Sequence, residues 1–178
     1  MDDATLIKEC LSGSVRAQKT LFDKFAPKMF GVCLRYCKSR EQAEDALQEG
    51  FIKVFFKLKD FKLQGSFEGW IRRIMVNTSL DTLRKEMKIS SEIEVEDVLS
   101  GKESSISVLS QLAEAELISL IQAMPDGYRV VFNMFAIEGY SHQEIAQNLG
   151  ITESTSKSQY LRARAYLRER LEKDNSGK

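Results

Sequence analysis

Ser141-His-Gln-Glu-Ile-Ala-Gln-Asn-Leu-Gly150-Ile-Thr-Glu-Ser-Thr155, followed by a basic amphipathic run to Leu171, reads as a helix-turn-helix. Ser141 offers a hydroxyl to cap the first helix, and Glu144 three residues later can reach back to the free backbone amides, so a capping box is predicted. Ile145 and Leu149 share a face, Ala146 is small enough for a second helix to cross closely, and Gly150 can take the left-handed conformation that stops the helix. Thr152 offers a second cap. Tyr160, Ala163, Leu167 and Leu171 then recur at helical spacing, so their face looks inward. Outward stand Thr155, Lys157, Ser158, Arg162 and Arg164, with Arg168 and Arg170 beyond. Hydroxyls and cations in that pattern suit base edges and phosphates in a major groove. A plain helical hairpin with a solvated basic face would carry the same charges, but not two caps, a glycine turn and a small crossing residue together.

Upstream, the apolar residues keep a helical period from Thr5 to about Lys88, and Pro27 and Pro125 are the only prolines, which predicts an all-α protein. Leu6, Ile7, Cys10 and Leu11 predict a short helix ending at Gly13. Ser14 caps a longer one through Leu21, Phe25, Met29, Val32 and Tyr36, in which Pro27 should cause a kink or break. A third helix is predicted from Glu41 to about Lys59, with Ala43, Leu47, Ile52, Val54, Phe55 and Leu58 as its apolar surface and Asp45, Gln48 and Glu49 on its polar face. After a turn at Lys62 to Ser66, a fourth begins near Phe67. It carries Trp70, Ile71, Ile74, Met75, Leu80 and Leu83, and Arg72, Arg73, Arg84 and Lys85 make it basic. Periodicity places Trp70 with Ile74 in the core.

Between Ser90 and Ser110 repeated serines alternate with Glu92, Glu94, Glu96, Asp97 and Glu103 against Lys102 alone, a composition that predicts a flexible acidic linker. Periodicity resumes at Leu112, and a helix is predicted from Tyr128 to Ile137. The expected organisation is two small helical domains, residues 1–88 and 111–173, joined by a linker at 89–110 and followed by a disordered tail at 174–178.

The 178 residues include 26 Lys plus Arg and 26 Asp plus Glu, so nucleic-acid affinity must come from segregated charge. No apolar run approaches the roughly 20 residues that span a bilayer, and the acidic start is unlike a signal peptide, which predicts a cytoplasmic protein without membrane insertion. Cys10, Cys33 and Cys37 are too few for a disulfide framework and lack further ligands for zinc, so buried thiols and no metal or cofactor are expected. One histidine without a nucleophile partner, and the absence of a glycine-rich phosphate loop, argue against an enzyme.

Three blocks in this order resemble the extracytoplasmic-function sigma factors of the sigma-70 family, over nearly the whole chain. Ala43-Glu-Asp-Ala-Leu-Gln-Glu49-Gly-Phe-Ile-Lys-Val-Phe is similar to the family's polymerase-binding helix; Phe61 to Leu83, with Phe67, Trp70, Arg73, Ile74, Asn77 and Thr78, to its promoter-melting segment; Leu120 to Leu171 to its upstream-element domain. The resemblance implies that Asp45, Gln48 and Glu49 dock on the clamp coiled coil of the polymerase's largest subunit. It implies that Asn77 contacts an extruded base of the −10 element in a pocket made by Phe61 and the Lys62 to Ser66 loop, while Arg72 and Arg73 meet phosphates or the duplex edge. A base pulled from the stack needs such an aromatic and hydrogen-bonding surface. For the −35 element it places Lys157, Ser158, Leu161 and Arg162 in the groove and Thr155 near a phosphate. Arg164 is either a phosphate contact or a surface charge.

Two departures stand out. Ser156 occupies a position where the family commonly has valine, which implies looser packing, and Gln159 one where arginine is frequent, which implies a lost phosphate contact. The resemblance also implies RNA polymerase core enzyme, promoter DNA and an anti-sigma factor as partners. The linker would either run through the polymerase towards the RNA exit path or serve as a plain tether. A rival reading is a helix-turn-helix activator or repressor with an N-terminal sensing domain. Another is a helical adaptor. The N-terminal block, with docking and base-capturing residues in place of a ligand pocket, favours the sigma reading.

Overall fold

Helix starts follow polar residues able to satisfy a free backbone amide where the sequence supplies one, and the computed structural model, which describes residues 2–89 and 114–176, shows such caps formed by Asp2, Ser14, Ser39, Ser66, Ser141 and Thr152. Asp2 Oδ1 accepts from the Thr5 amide at 2.7 Å and opens α1 (Asp3–Leu11). Gly13, at φ 85°, turns the chain, and Ser14 accepts from the Ala17 amide at 3.2 Å to open α2 (Val15–Tyr36). Ser39 does the same at the Gln42 amide for α3 (Arg40–Lys57). A short 3-10 turn (Leu58–Asp60) and a loop lead to Ser66, whose hydroxyl accepts from the Gly69 amide at 3.1 Å at the start of α4 (Phe67–Ile89).

Helices α2, α3 and α4 pack against one another around Leu21, Met29, Val32, Cys33, Tyr36, Val54, Ile71, Met75 and Val76, all fully buried, and α1 covers α2. Burial of each large apolar side chain contributes about 1.5–3 kcal/mol. Gly50 is what lets α3 approach α4 closely: a Cβ there would lie 2.3 Å from Met75 Sδ. The expected break at Pro27 is absent, for α2 runs through it. Pro27 and Asp23 are both exposed, so water can satisfy the Asp23 carbonyl that loses its donor, while Phe25, Ala26 and Met29 hold both halves in the core.

The second group of helices comprises α5 (Glu114–Gln122), α6 (Asp126–Phe132), a π-helical turn (Asn133–Ile137), α7 (His142–Leu149) and α8 (Glu153–Ser176). The predicted helix from Tyr128 to Ile137 thus starts two residues earlier, directly after Pro125, and finishes as a wider turn closed by the Glu138 amide on the Asn133 carbonyl at 2.9 Å. Ile121, Met124, Val131, Phe132, Met134, Ile145, Ala163 and Leu167 form its core. Arg129 lies inside as well, 1% exposed, with Nη1 donating to the carbonyls of Gln122 and Met124 and Nη2 to Asp126 at 2.7 Å. It therefore ties the open end of α5 to the start of α6. Tyr166 on α8 donates to the Ala123 carbonyl at 2.8 Å.

The described residues contain helices and turns and no strand. They fall into two compact units, Met1–Ser91 and Glu92–Lys178. The flexible linker expected at 89–110 lies, apart from the last residue of α4, outside the described residues. Helix α8 continues into the stretch expected as a tail, as far as Ser176, with Glu169 and Lys173 paired at 2.8 Å along it.

Candidate nucleic-acid interface

The helix-turn-helix is assembled by its caps. The Ser141 amide donates to Glu144 Oε2 at 2.8 Å and the Glu144 amide to Ser141 Oγ at 3.2 Å, completing the capping box. Gly150 closes α7 at φ 68°, and Thr152 Oγ1 accepts from the Thr155 amide at 3.0 Å to open α8. Tyr160, Ala163 and Leu167 are buried, as the spacing predicts.

This leaves Ser158, Leu161 and Ala165 near the centre of the outward face of α8, with Thr155 and Arg162 on one flank and Lys157, Arg164 and Arg168 on the other. Lys157 is exposed, 3.9 Å from Glu153. Leu161 is 36% exposed, an apolar group among the polar ones on this face. The Thr155 hydroxyl already pairs with Thr152 at 2.9 Å, and Ser158 Oγ donates to the Ser154 and Thr155 carbonyls. The Arg164 guanidinium lies 5.8 Å over the Tyr160 ring.

Ser156 stands at the position where looser packing was expected. It is fully buried, and its hydroxyl lies 2.8 Å from His142 Nδ1. The His142 ring in turn stacks on Phe135, with centroids 4.3 Å apart and planes within 13°. A polar pair thus occupies the space of an apolar side chain and joins the first turns of α7 and α8. Partial burial, and then the Lys157 charge, hold His142 below its ordinary pKa, with Glu153 opposing. Gln159 turns towards α6, where its carboxamide oxygen would sit 3.1 Å from a Cβ at Gly127.

In the N-terminal unit Asp45 and Gln48 are exposed on one arc of α3, while Glu49 pairs with Lys53 at 2.9 Å. That hydrogen bond keeps the Glu49 carboxyl below the usual range. Lys53 also approaches Asp81 on α4 at 3.6 Å. Ile52, counted with the apolar surface of α3, is 68% exposed on the same arc, and Phe56 is 75% exposed one turn further on. Seven and eleven residues beyond Asp45, both fall on its side of the helix. That spacing was available in the sequence, but apolar residues on several sides of α3 obscured it.

Phe61 packs against Phe67 and Trp70 with centroids 5.1 and 5.3 Å away. Trp70 is not closed into the core as predicted. It is partly exposed and forms the edge of this aromatic cluster, stacked on Phe67 at 5.8 Å. Arg73 and Asn77 are exposed and continue the Trp70 face along α4, and the loop carrying Lys62 includes exposed Leu63 at φ 54° and Gly65 at φ 80°. Arg72 is turned about 140° from Asn77 and approaches Glu68 at 3.7 Å, which itself pairs with Lys28 at 2.7 Å. The structure therefore groups Phe61, Trp70, Arg73 and Asn77, and sets Arg72 apart.

The three cysteines are buried and free, and burial pushes the Cys33 thiol up to about 11, which leaves it unreactive near neutrality. Among the described residues no cluster of three metal-ligating side chains occurs, and no helix is long and apolar enough to cross a membrane.

Residues 21–89 match the Sigma-70 region 2 family model and residues 114–167 the Sigma-70, region 4 model, so two consecutive parts of one family span more than half of the chain. The ECF RNA polymerase sigma factor SigE of Mycolicibacterium smegmatis is 32% identical over 88% of this chain, which spans 62% of that relative's length. RNA polymerase sigma-H factor of Pseudomonas aeruginosa is 29% identical over 91% of this chain and 90% of its own length, and ECF RNA polymerase sigma factor SigW of Bacillus subtilis 28% identical over 93% and 94%. Among solved structures, CnrH in complex with the cytosolic domain of CnrY superposes with a TM-score of 0.53 at 24% identity, covering 97% of this chain and 98% of that one. The sigma factor RpoE of Bartonella quintana, in complex with the anti-sigma factor NepR, gives a TM-score of 0.54 at 20% identity, over 89% and 98%. The chain belongs to the sigma-70 family of RNA polymerase sigma factors, in its extracytoplasmic-function branch.

Proposed function

We propose that this protein directs RNA polymerase core enzyme to a set of promoters in the cytoplasm, gripping the −35 element with α8 and opening the −10 element with α4 and the loop before it. Asp45, Gln48 and Glu49 dock the polymerase. Phe61, Lys62 and Asn77 receive the base that leaves the duplex, while Arg73 and, at a distance, Arg72 contact phosphates. Thr155, Lys157, Ser158, Leu161, Arg162 and Arg164 hold the upstream element. No covalent step is needed: strand separation draws on binding energy that is gained only once a base is unstacked.

The observation that carries this reading is the exposed Asn77 on one face of α4 with Trp70, whose ring packs on Phe61. A sensing domain has no use for an open aromatic and amide surface beside exposed arginine, whereas an unstacked base does. The solved complex of RpoE with the anti-sigma factor NepR supports an anti-sigma factor as a partner for this chain too. The test is to add purified protein to core polymerase on genomic DNA and sequence transcript 5′ ends. Start sites sharing a common pair of upstream elements are expected; an absence of promoter-specific starts would overturn the reading.

A further inference from the structure

Ser156 begins the inward stripe of α8 that Tyr160, Ala163 and Leu167 continue, and it is polar where they are aromatic or apolar. An apolar side chain in its place would seat the helix by filling volume. A hydrogen bond is directional as well, and the 2.8 Å approach of Ser156 Oγ to His142 Nδ1 selects one rotation of α8 about its own axis. The His142 ring is held in turn, flat on Phe135 of the π-helical turn at 4.3 Å and inclined at 60° to Tyr160 at 6.0 Å. That rotation sets the outward side too. Ser158 and Leu161 stand about 160° and 140° round the axis from Ser156, so a turn at the buried side carries them with it. A binding constellation tolerates about 10–20° of such error.

The surroundings of the ring disfavour a charge on it. His142 lies in the first turn of α7 and its partner in the first turn of α8, so a proton there would meet the positive ends of two helix dipoles. Facing it from α8 are Lys157, which opposes the charge, Glu153, which favours it, and the Tyr160 phenol. Phe135, from the π-helical turn, carries no charge. On α7 itself the Glu144 carboxylate is committed to the Ser141 amide and hydroxyl, at 2.8 and 3.0 Å. Once protonated, both ring nitrogens can only donate. The partly exposed ring is then better solvated by water, and its departure leaves Ser156 buried without this partner.

We propose that His142 is a positioning residue for promoter reading: through Ser156 it fixes how α8 is turned, and only its neutral form does so. This rests on the reading role proposed above for α8. The grip on the upstream element then loosens as pH falls below neutrality.

The test measures binding of the full chain, assembled with core polymerase, to a duplex promoter fragment taken from its mapped transcript starts, at pH 7.5 and 5.5. Thermal melts at both pH values check folding. His142 is the chain's single histidine, so it is the one side chain whose ordinary pKa lies inside that window. His142→Gln stays neutral, can still offer Ser156 a carboxamide, and should match the native chain at pH 7.5. Native affinity relative to His142→Gln, a ratio that cancels effects of pH on the polymerase, should fall at least about twofold by pH 5.5. The fall should stay below the roughly tenfold that one proton at the ordinary pKa would give. Ser156→Ala should bind at least about threefold more weakly at pH 7.5 and show no extra loss at 5.5. A constant ratio across the window would overturn the inference, as would a pH-dependent ratio that survives in Ser156→Ala. A ratio that rises at pH 5.5 would overturn it by making the imidazolium a phosphate contact. If the native assembly selects no promoter at either pH, the reading role of α8 itself fails.

Discussion

Arg129 shows how much one buried cation can hold. Its guanidinium satisfies two carbonyls at the end of α5 and the Asp126 carboxylate at once, and a hydrocarbon replacement would leave all three without it. Arg129→Met is expected to destabilise the C-terminal unit by about 3 kcal/mol, read from urea unfolding of the full chain. A loss under about 1 kcal/mol would show that water substitutes for the guanidinium. His142 acts in the opposite sense, as a group kept neutral. Its folded pKa lies below the ordinary 6.5, so the unfolded chain takes up the proton first as pH falls. Stability from this site is complete above about pH 6.5 and is lost as pH drops through the folded pKa. As the chain's single histidine, it yields one imidazole signal. Its NMR titration midpoint should fall below 6.5, and His142→Gln should weaken the dependence of the urea midpoint between pH 7.5 and 5.5.

At the scale of the element, the proposed function divides promoter work between stacking at α4 and charge at α8. Phe61→Ala together with Asn77→Ala should lower strand opening by tenfold or more, since a stacked base is worth about 1–3 kcal/mol. Permanganate reactivity of the −10 thymines would show this, while closed-complex affinity stays near native. If opening is unaffected, the base is held elsewhere. On α8, Lys157→Ala should weaken promoter binding across sequences and reduce the slope of log affinity against log salt by about 1, the mark of a lost phosphate contact. A change in sequence preference at constant slope would instead make Lys157 a base reader.

For the whole molecule, the chain carries two units with separate cores, which the proposed function uses as two modest grips acting as one. Linking turns the second engagement into an intramolecular event, which raises occupancy by factors of 10² or more. Supplying residues 1–89 and 111–178 as separate polypeptides should therefore lower promoter-specific transcription by about 100-fold relative to the intact chain, measured at equal concentration. Equal yields from the pieces would mean that one unit suffices.

Caps, glycine stops and the order of the helices were determined locally. Ser14, Ser39, Ser141 with Glu144, Thr152 and Gly150 act on amides and carbonyls within a few residues, so their effect is written in short stretches of chain. The outward face of α8 was legible for the same reason, since one apolar stripe leaves one outward side. Other features depended on residues far apart in sequence. Pro27 was tolerated because its side of α2 meets water, and Ser156 was accommodated because His142, fourteen residues away, supplied a partner. Trp70 was drawn to the surface by Phe61 and Phe67, and Ile52 was turned outward because Gly50 and Val54 claimed the close approach to the core. Periodicity names the faces of a helix; when apolar residues occupy more than one of them, only packing against neighbours decides which is buried.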